Sequence, residues 1–419
     1  MSRRSLRLTT SLAYARGGYS VALAIGSEGA DVNVLLDTGS STLAVTAKRY
    51  APERDVRLAA TPYAQQMNYG KGSLAGPVLR SRIGVGDRDQ RRDVDAVAFT
   101  RIEGEAPYFF RDADGIFGLA YRHLNAAHDL TALLQAAGHD PALTWPWPYA
   151  DLDETARSQF LAQPRQQPRL ELQPLFGALE THGVFADKFA LQIRRAVAHV
   201  LDDAATAQQL HGDPLNRGTL VLGGGEECQE LFDGAFADLR VVHDIYYNVN
   251  LLSLQVGDQT PIPAPALEPQ YEARSASNSI IDTGSSFVML EGTLYDAVIA
   301  AFGAHDARLP ALVARFNDAF AMNQGLPNDA IRYADWPVLH LRFEAPDGGE
   351  TCLRCEPDHY WQRNGMYAGQ SLFLLLRQVD GWPNQSVLGL PLLCDRYCVF
   401  DRSAGGNGRI RLARAATRD

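Results

Sequence analysis

The chain consists largely of short apolar runs separated by turn residues. Segments rich in Val, Ile, Leu and Tyr recur along it and are bounded by Gly, Asp and Asn, as in YSVALAIG, VNVLLDTG, TLVLGGG and YYNVNLLSLQVG. Short runs of β-branched and aromatic residues between turn signals are typical of β-strands. The pattern therefore predicts a mainly all-β protein.

One region departs from this pattern. Between about residues 128 and 183 the chain contains helix-like pieces such as LTALLQAAG and ELQPLFGALETHG, with the segment TWPWPYADLDE between them. A stretch of this length is too long for an ordinary connection between strands. We expect a helix-containing insertion at the surface of the N-terminal half.

A seven-residue pattern occurs twice. LLDTGSS at 35–41 returns as IIDTGSS at 280–286, and each copy is followed much later by two apolar residues and a glycine, at 116–118 and 387–389. A duplicated lobe is the simplest explanation of parts repeated in the same order. We expect two lobes, an N-terminal one over residues 1–235 and a C-terminal one over residues 236–419.

In each copy an apolar strand ends in an aspartate, Asp37 or Asp282. If the two loops meet, their carboxyl groups cannot both ionise readily and share one proton. Such a pair can take a proton from water and give one to a carbonyl oxygen, which is peptide hydrolysis without a metal. A single Asp-Thr-Gly is a common turn tripeptide, but two copies behind apolar runs predict a catalytic pair.

Composition limits the other classes of function. A chain of 419 residues that is 46% hydrophobic can bury a large core, and its net charge of −10 argues against a nucleic-acid partner. We find no apolar run long enough for a signal peptide or a membrane span, so we expect a soluble, cytoplasmic protein without a membrane partner. The ten histidines show no HExxH or comparable ligand spacing.

The cysteines do not form the pattern of a disulfide framework. There are five, an odd number, which fits a reducing compartment. Cys352 and Cys355 form a CxxC pair and Cys394 and Cys398 a CxxxC pair, so a zinc site is conceivable. Ordinary half-buried thiols, with Cys228 as the fifth, are the favoured interpretation, and we expect no metal and no cofactor.

Several longer segments resemble the pepsin family of aspartic proteases, and in particular its prosegment-free bacterial homologues. They are YSVALAIG from Tyr19, YGKGS from Tyr69, DGIFGLAY at 114–121 and VLGLPLLCDRYCVFD at 387–401. The resemblance implies a bilobal fold of two β-barrels with Asp37 and Asp282 as the catalytic pair. It also implies that Tyr69 and Gly70 belong to a β-hairpin flap that closes on the substrate.

The resemblance also implies which residues bind the substrate. The main chain of the substrate would contact the two Asp-Thr-Gly loops at Thr38, Gly39, Ser40, Thr283, Gly284, Ser285 and Ser286. Tyr108, Phe109, Phe110 and Ile116 would lie near the apolar pocket beside the cut bond, although burial in the core is an equal alternative for the two phenylalanines. The expected partner is a peptide or unfolded protein with bulky apolar residues flanking the cut, processed by a monomer at acidic pH.

Two positions depart from the family pattern. Ala44 stands where the family usually has a tryptophan, and the pattern around it is closer to that of secretase-like members. Leu390 stands where the family often has an aspartate. A pepsin-fold inhibitor or peptide-binding protein with little activity is the alternative function, although the intact triplets favour an enzyme. Only 36 residues precede Asp37, so we also expect activity without removal of a prosegment.

Overall fold

The computed structural model describes residues 5–69, 72–103, 108–148 and 166–416, and describes the backbone alone for residues 68, 69, 72, 73 and 109. The chain divides into two compact units. Unit 1 contains residues 1–8 and 20–186, and unit 2 contains residues 9–19 and 187–419. The expected lobes at 1–235 and 236–419 stay a prediction.

The first strand, β1 (Leu6–Ser11), contains the chain boundary between the units. The strands of unit 1 are β2 (Ser20–Ile25), β3 (Ala30–Asp37), β4 (Leu43–Thr46), β5 (Ala59–Tyr69), β6 (Gly72–Val85), β7 (Arg92–Ile102), β8 (Gly115–Gly118), β9 (Ala126–Asp129) and β10 (Arg169–Glu171).

Six of the strands in unit 1 close into a barrel. Their order is β2-β3-β8-β4-β7-β6, and the last strand, β6, closes the barrel by pairing with the first, β2, where Val85 lies opposite Leu23. Alternate residues of β3, including Val32, Val34 and Leu36, are fully buried, as expected for a strand with one face in a core. Strands β5, β9 and β10 extend the sheet from β6. The mainly all-β class that the sequence predicts is confirmed.

The strands of unit 2 after β1 are β11 (Lys188–Ile193), β12 (Arg217–Leu222), β13 (Phe232–Arg240), β14 (Asn248–Val249), β15 (Leu251–Val256), β16 (Ile262–Pro263), β17 (Ser279–Ile281), β18 (Val288–Leu290), β19 (Leu326–Pro327), β20 (Leu339–Glu344), β21 (Glu350–Cys355), β22 (Trp361–Arg363), β23 (Gln370–Phe373), β24 (Leu375–Arg377), β25 (Ser386–Leu388), β26 (Arg396–Asp401) and β27 (Arg409–Ala415).

These strands form four groups. Strands β12-β11-β26-β27-β13 run side by side, and β14-β17-β25-β18-β24 form the sheet that carries the second Asp-Thr-Gly. Two smaller sheets have the orders β16-β15-β20-β21 and β19-β23-β22. Because β11 pairs with β26 over six residues, the chain from Lys188 onward packs with the C-terminal strands.

The described helices are α1 (Thr131–Ala136), α2 (Leu175–Thr181), α3 (Ala207–Gly212), α4 (Glu272–Ser275), α5 (Gly292–His305), α6 (Leu309–Ala321), α7 (Pro357–Tyr360) and α8 (Leu390–Leu393). The sequence analysis placed helical segments only in the region 128–183, and this was incomplete. Helix α5 buries Leu294, Val298 and Phe302, a spacing of four residues that marks one face of a helix. None of the helices in the described part of the chain has the length and apolar character needed to cross a membrane.

The region expected to be an insertion contains short strands as well as helices. Its described parts comprise β9, α1, β10 and α2, and residues 149–165 lie outside the described residues. In α2, Leu175, Phe176 and Leu179 are fully buried, so this helix belongs to the core of unit 1. After β10, the N–H of Leu172 donates to the carbonyl oxygen of Asn125 at 2.8 Å, which ties the end of β10 to the turn before β9.

Candidate active-site loops

The first Asp-Thr-Gly loop begins where β3 ends in the barrel of unit 1. Strand β3 runs parallel to β8, with Asp37 opposite Gly118, and β4 runs antiparallel on the other side of β8. The apolar strand residues bury the end of β3, and Asp37 itself is only 4% exposed. The loop therefore holds a carboxyl group at the edge of a packed core.

Two hydrogen bonds within the loop orient this carboxyl group. The backbone N–H of Gly39 donates to Oδ1 of Asp37 at 2.7 Å, and the hydroxyl of Ser40 donates to Oδ2 at 2.5 Å. The carbonyl oxygens of Asp37 and Ser40 accept from the N–H groups of Leu119 and Ala120. These bonds fix the loop against the chain that follows β8.

The second loop repeats this arrangement in unit 2. Strand β17 runs parallel to β25, and β18 runs antiparallel to the same strand. Asp282 follows β17 directly and is half-buried, and the N–H of Gly284 donates to its Oδ1 at 2.9 Å. Each unit thus places an aspartate beside a short strand whose last apolar residues precede a glycine, Gly118 at the end of β8 and Gly389 directly after β25.

The glycine at or directly after the end of this neighbouring strand has a steric role in both units. A Cβ atom on Gly118 would lie 2.5 Å from the N, Cα and C atoms of Ser41. A Cβ atom on Gly389 would lie 2.3 Å from the carbonyl oxygen of Phe287 and 2.4 Å from that of Ser285. The backbone of each Asp-Thr-Gly-Ser loop therefore approaches so closely that only glycine fits.

The serines of the two loops make different contacts. Ser40 donates to the carboxyl group of Asp37, whereas its counterpart Ser285 donates to the carbonyl oxygen of Phe287 at 2.9 Å. Ser286 donates to the carbonyl oxygen of Gly17 at 2.5 Å. Unit 2 thus contains a direct bond between its Asp-Thr-Gly loop and the N-terminal segment 9–19.

A long β-hairpin stands at the position expected for the flap. Strands β5 and β6 pair antiparallel up to Tyr69 and Gly72, and residues 70 and 71 connect them. We call residues 59–85 the flap hairpin. Gly70 lies outside the described residues, as do the side chains of Tyr69 and Phe109, so their roles stay predictions.

The proposed pocket residues differ in exposure. Phe110 and Ile116 are buried, at 0% and 1% exposure, and Tyr108 is 74% exposed. Ile116 lies in the middle strand β8 between Leu35 and Ala44, and Ala44 is fully buried. This burial agrees with core packing of Phe110, and a contribution of Phe110 and Ile116 to substrate binding stays a prediction.

A group of four buried polar side chains lies beside the first loop, and the sequence analysis did not find it. They are Thr42, Gln65, Thr100 and Asn125, each at most 2% exposed and joined by hydrogen bonds. They are at least 23 residues apart in sequence, since the closest pair is 42 and 65. The signal that the sequence does contain is a polar residue within a mainly apolar strand, because such a side chain needs a hydrogen-bond partner when it is buried.

The other chemistry-bearing residues form no metal site in the described part of the chain, where three or more His, Cys, Asp or Glu side chains are nowhere grouped for a metal ion. None of the five cysteines, all of which lie within the described residues, forms a disulfide; Cys352 is exposed and the other four are buried. Burial raises the pKa of the Cys355 and Cys398 thiols to about 12.

Comparison with protein families gives a match in each half of the chain. Residues 18–136 match the family described as eukaryotic aspartyl protease, and residues 246–406 match the family described as xylanase inhibitor C-terminal. The first match contains the first Asp-Thr-Gly loop and the flap hairpin, and the second contains the other Asp-Thr-Gly loop.

Individual relatives are similar to the chain at low identity. A beta-secretase of Strongylocentrotus purpuratus is 22% identical over 95% of this chain and 66% of its own length. Gastricsin of Mus musculus is 23% identical over 70% of this chain and 60% of its own, and pepsin II-2/3 of Oryctolagus cuniculus is 28% identical over 27% and 32%. The chain thus spans less than two thirds of the length of each of these relatives.

Proposed function

We propose that the chain is an aspartic endopeptidase of the pepsin-like type, because it is similar in sequence to pepsin-like proteases and has a mainly β fold. The observation that carries the proposal is the duplicated loop. In each unit an aspartate with an oriented carboxyl group follows a buried strand, and a glycine beside it admits the loop backbone. Two such carboxyl groups are what metal-free peptide hydrolysis needs.

In the proposed mechanism Asp37 and Asp282 hold one water molecule and one shared proton. The ionised carboxylate takes a proton from the water as its oxygen attacks the peptide carbonyl carbon, and the protonated carboxyl gives its proton to the carbonyl oxygen. When the tetrahedral intermediate collapses, the C–N bond breaks and the nitrogen of the leaving amine receives the proton that was taken from the water. A hydroxyl proton of the intermediate returns to the other carboxylate, which restores the shared proton. Because the state with one shared proton is the active one, the proposed working range is acidic.

The substrate side of the proposal follows the resemblance. We propose an extended peptide or unfolded protein with bulky apolar residues on both sides of the cut, bound by the main-chain groups of the two loops and covered by the flap hairpin. A water-excluding flap strengthens the electrostatic interactions within the site. Action as a cytoplasmic monomer of the prosegment-free bacterial type belongs to the proposal as well.

The decisive test replaces each aspartate by its isosteric amide. Asp37→Asn and Asp282→Asn should each lower kcat on an apolar peptide at least about a hundredfold, because each group transfers a proton in the reaction. Asp31→Asn is the matched control, since Asp31 is an exposed residue on the same strand as Asp37. If either single variant retained more than about a tenth of the wild-type kcat, the pair would be the wrong assignment.

A second candidate function is an inhibitor or peptide-binding protein with the same fold. It is favoured by one observation, the match of residues 246–406 to a family described as xylanase inhibitor C-terminal. This candidate predicts that the wild-type protein cleaves no peptide in a denatured protein mixture at any pH, yet slows a xylanase in a direct assay. Cleavage that disappears in both Asp→Asn variants excludes it as the main function.

A further inference from the structure

The four buried polar side chains found beside the first loop form one connected network. We call Thr42, Gln65, Thr100 and Asn125 the Gln65 cluster. They come from the chain after the first Asp-Thr-Gly, from β5, from β7 and from the turn before β9. All of them belong to unit 1.

Asn125 lies at the centre of the cluster. Its Oδ1 accepts two hydrogen bonds, from the hydroxyl of Thr42 at 2.9 Å and from Nε2 of Gln65 at 2.8 Å. Its Nδ2 donates to the carbonyl oxygen of Leu172 at 3.3 Å. Both lone pairs of the amide oxygen are therefore used, which leaves the side chain one orientation.

Gln65 is equally well satisfied. Its Nε2 donates to the carbonyl oxygen of Ala126 at 3.0 Å as well as to Asn125, and its Oε1 accepts from the hydroxyl of Thr100. A buried network in which every amide oxygen and nitrogen has a partner is rigid, because a shift leaves a polar group unpaired at a cost.

The two ends of the network lie at functionally different places. Thr42 follows Ser40 by two residues, and Ser40 holds the carboxyl group of Asp37. Gln65 precedes Tyr69 by four residues on β5, the strand of the flap hairpin that carries Tyr69. The network therefore joins the first Asp-Thr-Gly loop to the flap hairpin within one unit.

Strand β5 is also held near its start, by contacts that are separate from the Gln65 cluster. Strand β9 pairs with β5 through Tyr63 and Ala64, and the hydroxyl of Thr144 donates to the carbonyl oxygens of Thr61 at 2.8 Å and Tyr63 at 3.0 Å. These contacts fix the base of the hairpin but do not include the Asp37 loop. The link to that loop runs through Gln65 and Asn125.

We propose that the Gln65 cluster is a positioning device that fixes the flap hairpin relative to the Asp37 loop. The inference rests on the proposed peptidase function and adds two residues to it. Gln65 and Asn125 are positioning residues, since they act on substrate through the hairpin and the loop. Apolar side chains could fill the same space, but only directional bonds specify one geometry between the two elements.

The first test uses Gln65→Glu and its response to pH. A protonated glutamic acid still donates one hydrogen bond toward Asn125 and accepts from Thr100, whereas the ionised form cannot donate and faces two acceptor oxygens. The ratio of kcat/KM for the variant to that of the wild type should therefore be near one at the acidic end and fall roughly tenfold as pH rises. A ratio that stays flat across pH overturns the proposal.

The second test separates positioning from stability. Asn125→Ala should raise KM and lower kcat/KM roughly tenfold, because a misplaced flap weakens the grip on substrate. Thr144→Val is the matched control, since it also removes buried hydrogen bonds to β5 but none to the Asp37 loop. It should lower the melting temperature with kcat/KM unchanged. If Asn125→Ala behaves like Thr144→Val, the cluster is structural only and the proposal fails.

Failure of the proposed function is recognised separately, because wild-type turnover is measured in the same assay. If the wild type shows no turnover, the Kd of a fluorescent peptide with apolar residues at its centre is measured for the wild type, Asn125→Ala and Thr144→Val. A Kd raised by Asn125→Ala and unchanged by Thr144→Val supports positioning by the cluster without catalysis. Equal Kd values in all three proteins overturn it.

Discussion

Substitution of Gly118 by alanine gives a sharp test of how the first loop is built. The new Cβ atom would lie 2.5 Å from three backbone atoms of Ser41, whereas ordinary contacts begin at about 3.4 Å. Since these are backbone atoms, no side-chain rotation relieves the overlap, and the loop or β8 must move by almost 1 Å. Overpacking of this kind costs about 1–3 kcal/mol, and we expect the upper end of the range.

A loss of about 3 kcal/mol corresponds to a fall in melting temperature of roughly 6–12 °C for a unit of this size. Activity should fall as well, because Ser41 follows Ser40, whose hydroxyl orients the carboxyl group of Asp37. Thermal unfolding by circular dichroism and kcat/KM on one peptide measure the two effects.

Gly177→Ala is the control in the same unit. Gly177 lies within α2, and its added Cβ atom would be 3.7 Å from the nearest neighbour, on Gln173. Alanine should stabilise this helix by about 0.5–1 kcal/mol, because glycine loses more backbone freedom on folding. A Gly118→Ala protein that melts within about 1 °C of the wild type and keeps its kcat/KM would refute the steric account.

Three further predictions concern separate parts of the chain. Asp55→Asn should lower the urea midpoint of unfolding at neutral pH, and the difference in midpoint from the wild type should narrow below about pH 4. Burial raises the pKa of Asp55, but hydrogen bonds from Ser81, Tyr50 and two backbone N–H groups outweigh this effect and lower the pKa. The stability that the ionised carboxylate contributes is therefore lost as pH falls. In the native protein, a disulfide reagent should modify Cys352 rapidly and the four buried thiols only after denaturation; rapid reaction of more than one thiol would contradict the described burial. Tyr69→Ala should lower kcat/KM without abolishing turnover, because a flap residue positions substrate and transfers no proton; an unchanged value would remove Tyr69 from the site.

The two Asp-Thr-Gly loops could be predicted from the sequence because their pattern is local. The strand, the aspartate, the turn and the serines all lie within seven residues, and the second copy excludes a chance turn. The sequence analysis also noted 116–118 and 387–389 as repeated parts, but their pairing with the strands that carry the two aspartates is a finding of the structure. The structure adds the reason for the glycines, which is the approach of backbone atoms across β8 and β25.

The Gln65 cluster could not be predicted because its bonds join residues far apart in sequence. Gln65 and Asn125 are 60 residues apart, and no local pattern relates them. Strands β9 and β10, with the sequences AAHD and RLE, are too short to be recognised from sequence. They form because β9 pairs with the edge of β5 and β10 pairs with β9. Helix α5 is different, because its buried face has a period of four that the sequence analysis overlooked.

The proposed acidic working range conflicts with the electrostatics of the fold. For Glu226 and Asp401, burial raises the pKa, but hydrogen bonds outweigh it and lower the pKa of both; Lys188 bonds to each of them. Groups of this kind contribute stability that is present above their unfolded pKa and is lost as pH falls through the lowered folded value. Acid therefore weakens the fold while it favours the shared proton of the proposed catalytic pair. It follows that the acidic limb of the activity profile should coincide with loss of tertiary structure, whereas the limb at higher pH should show the pair losing its proton in a folded protein.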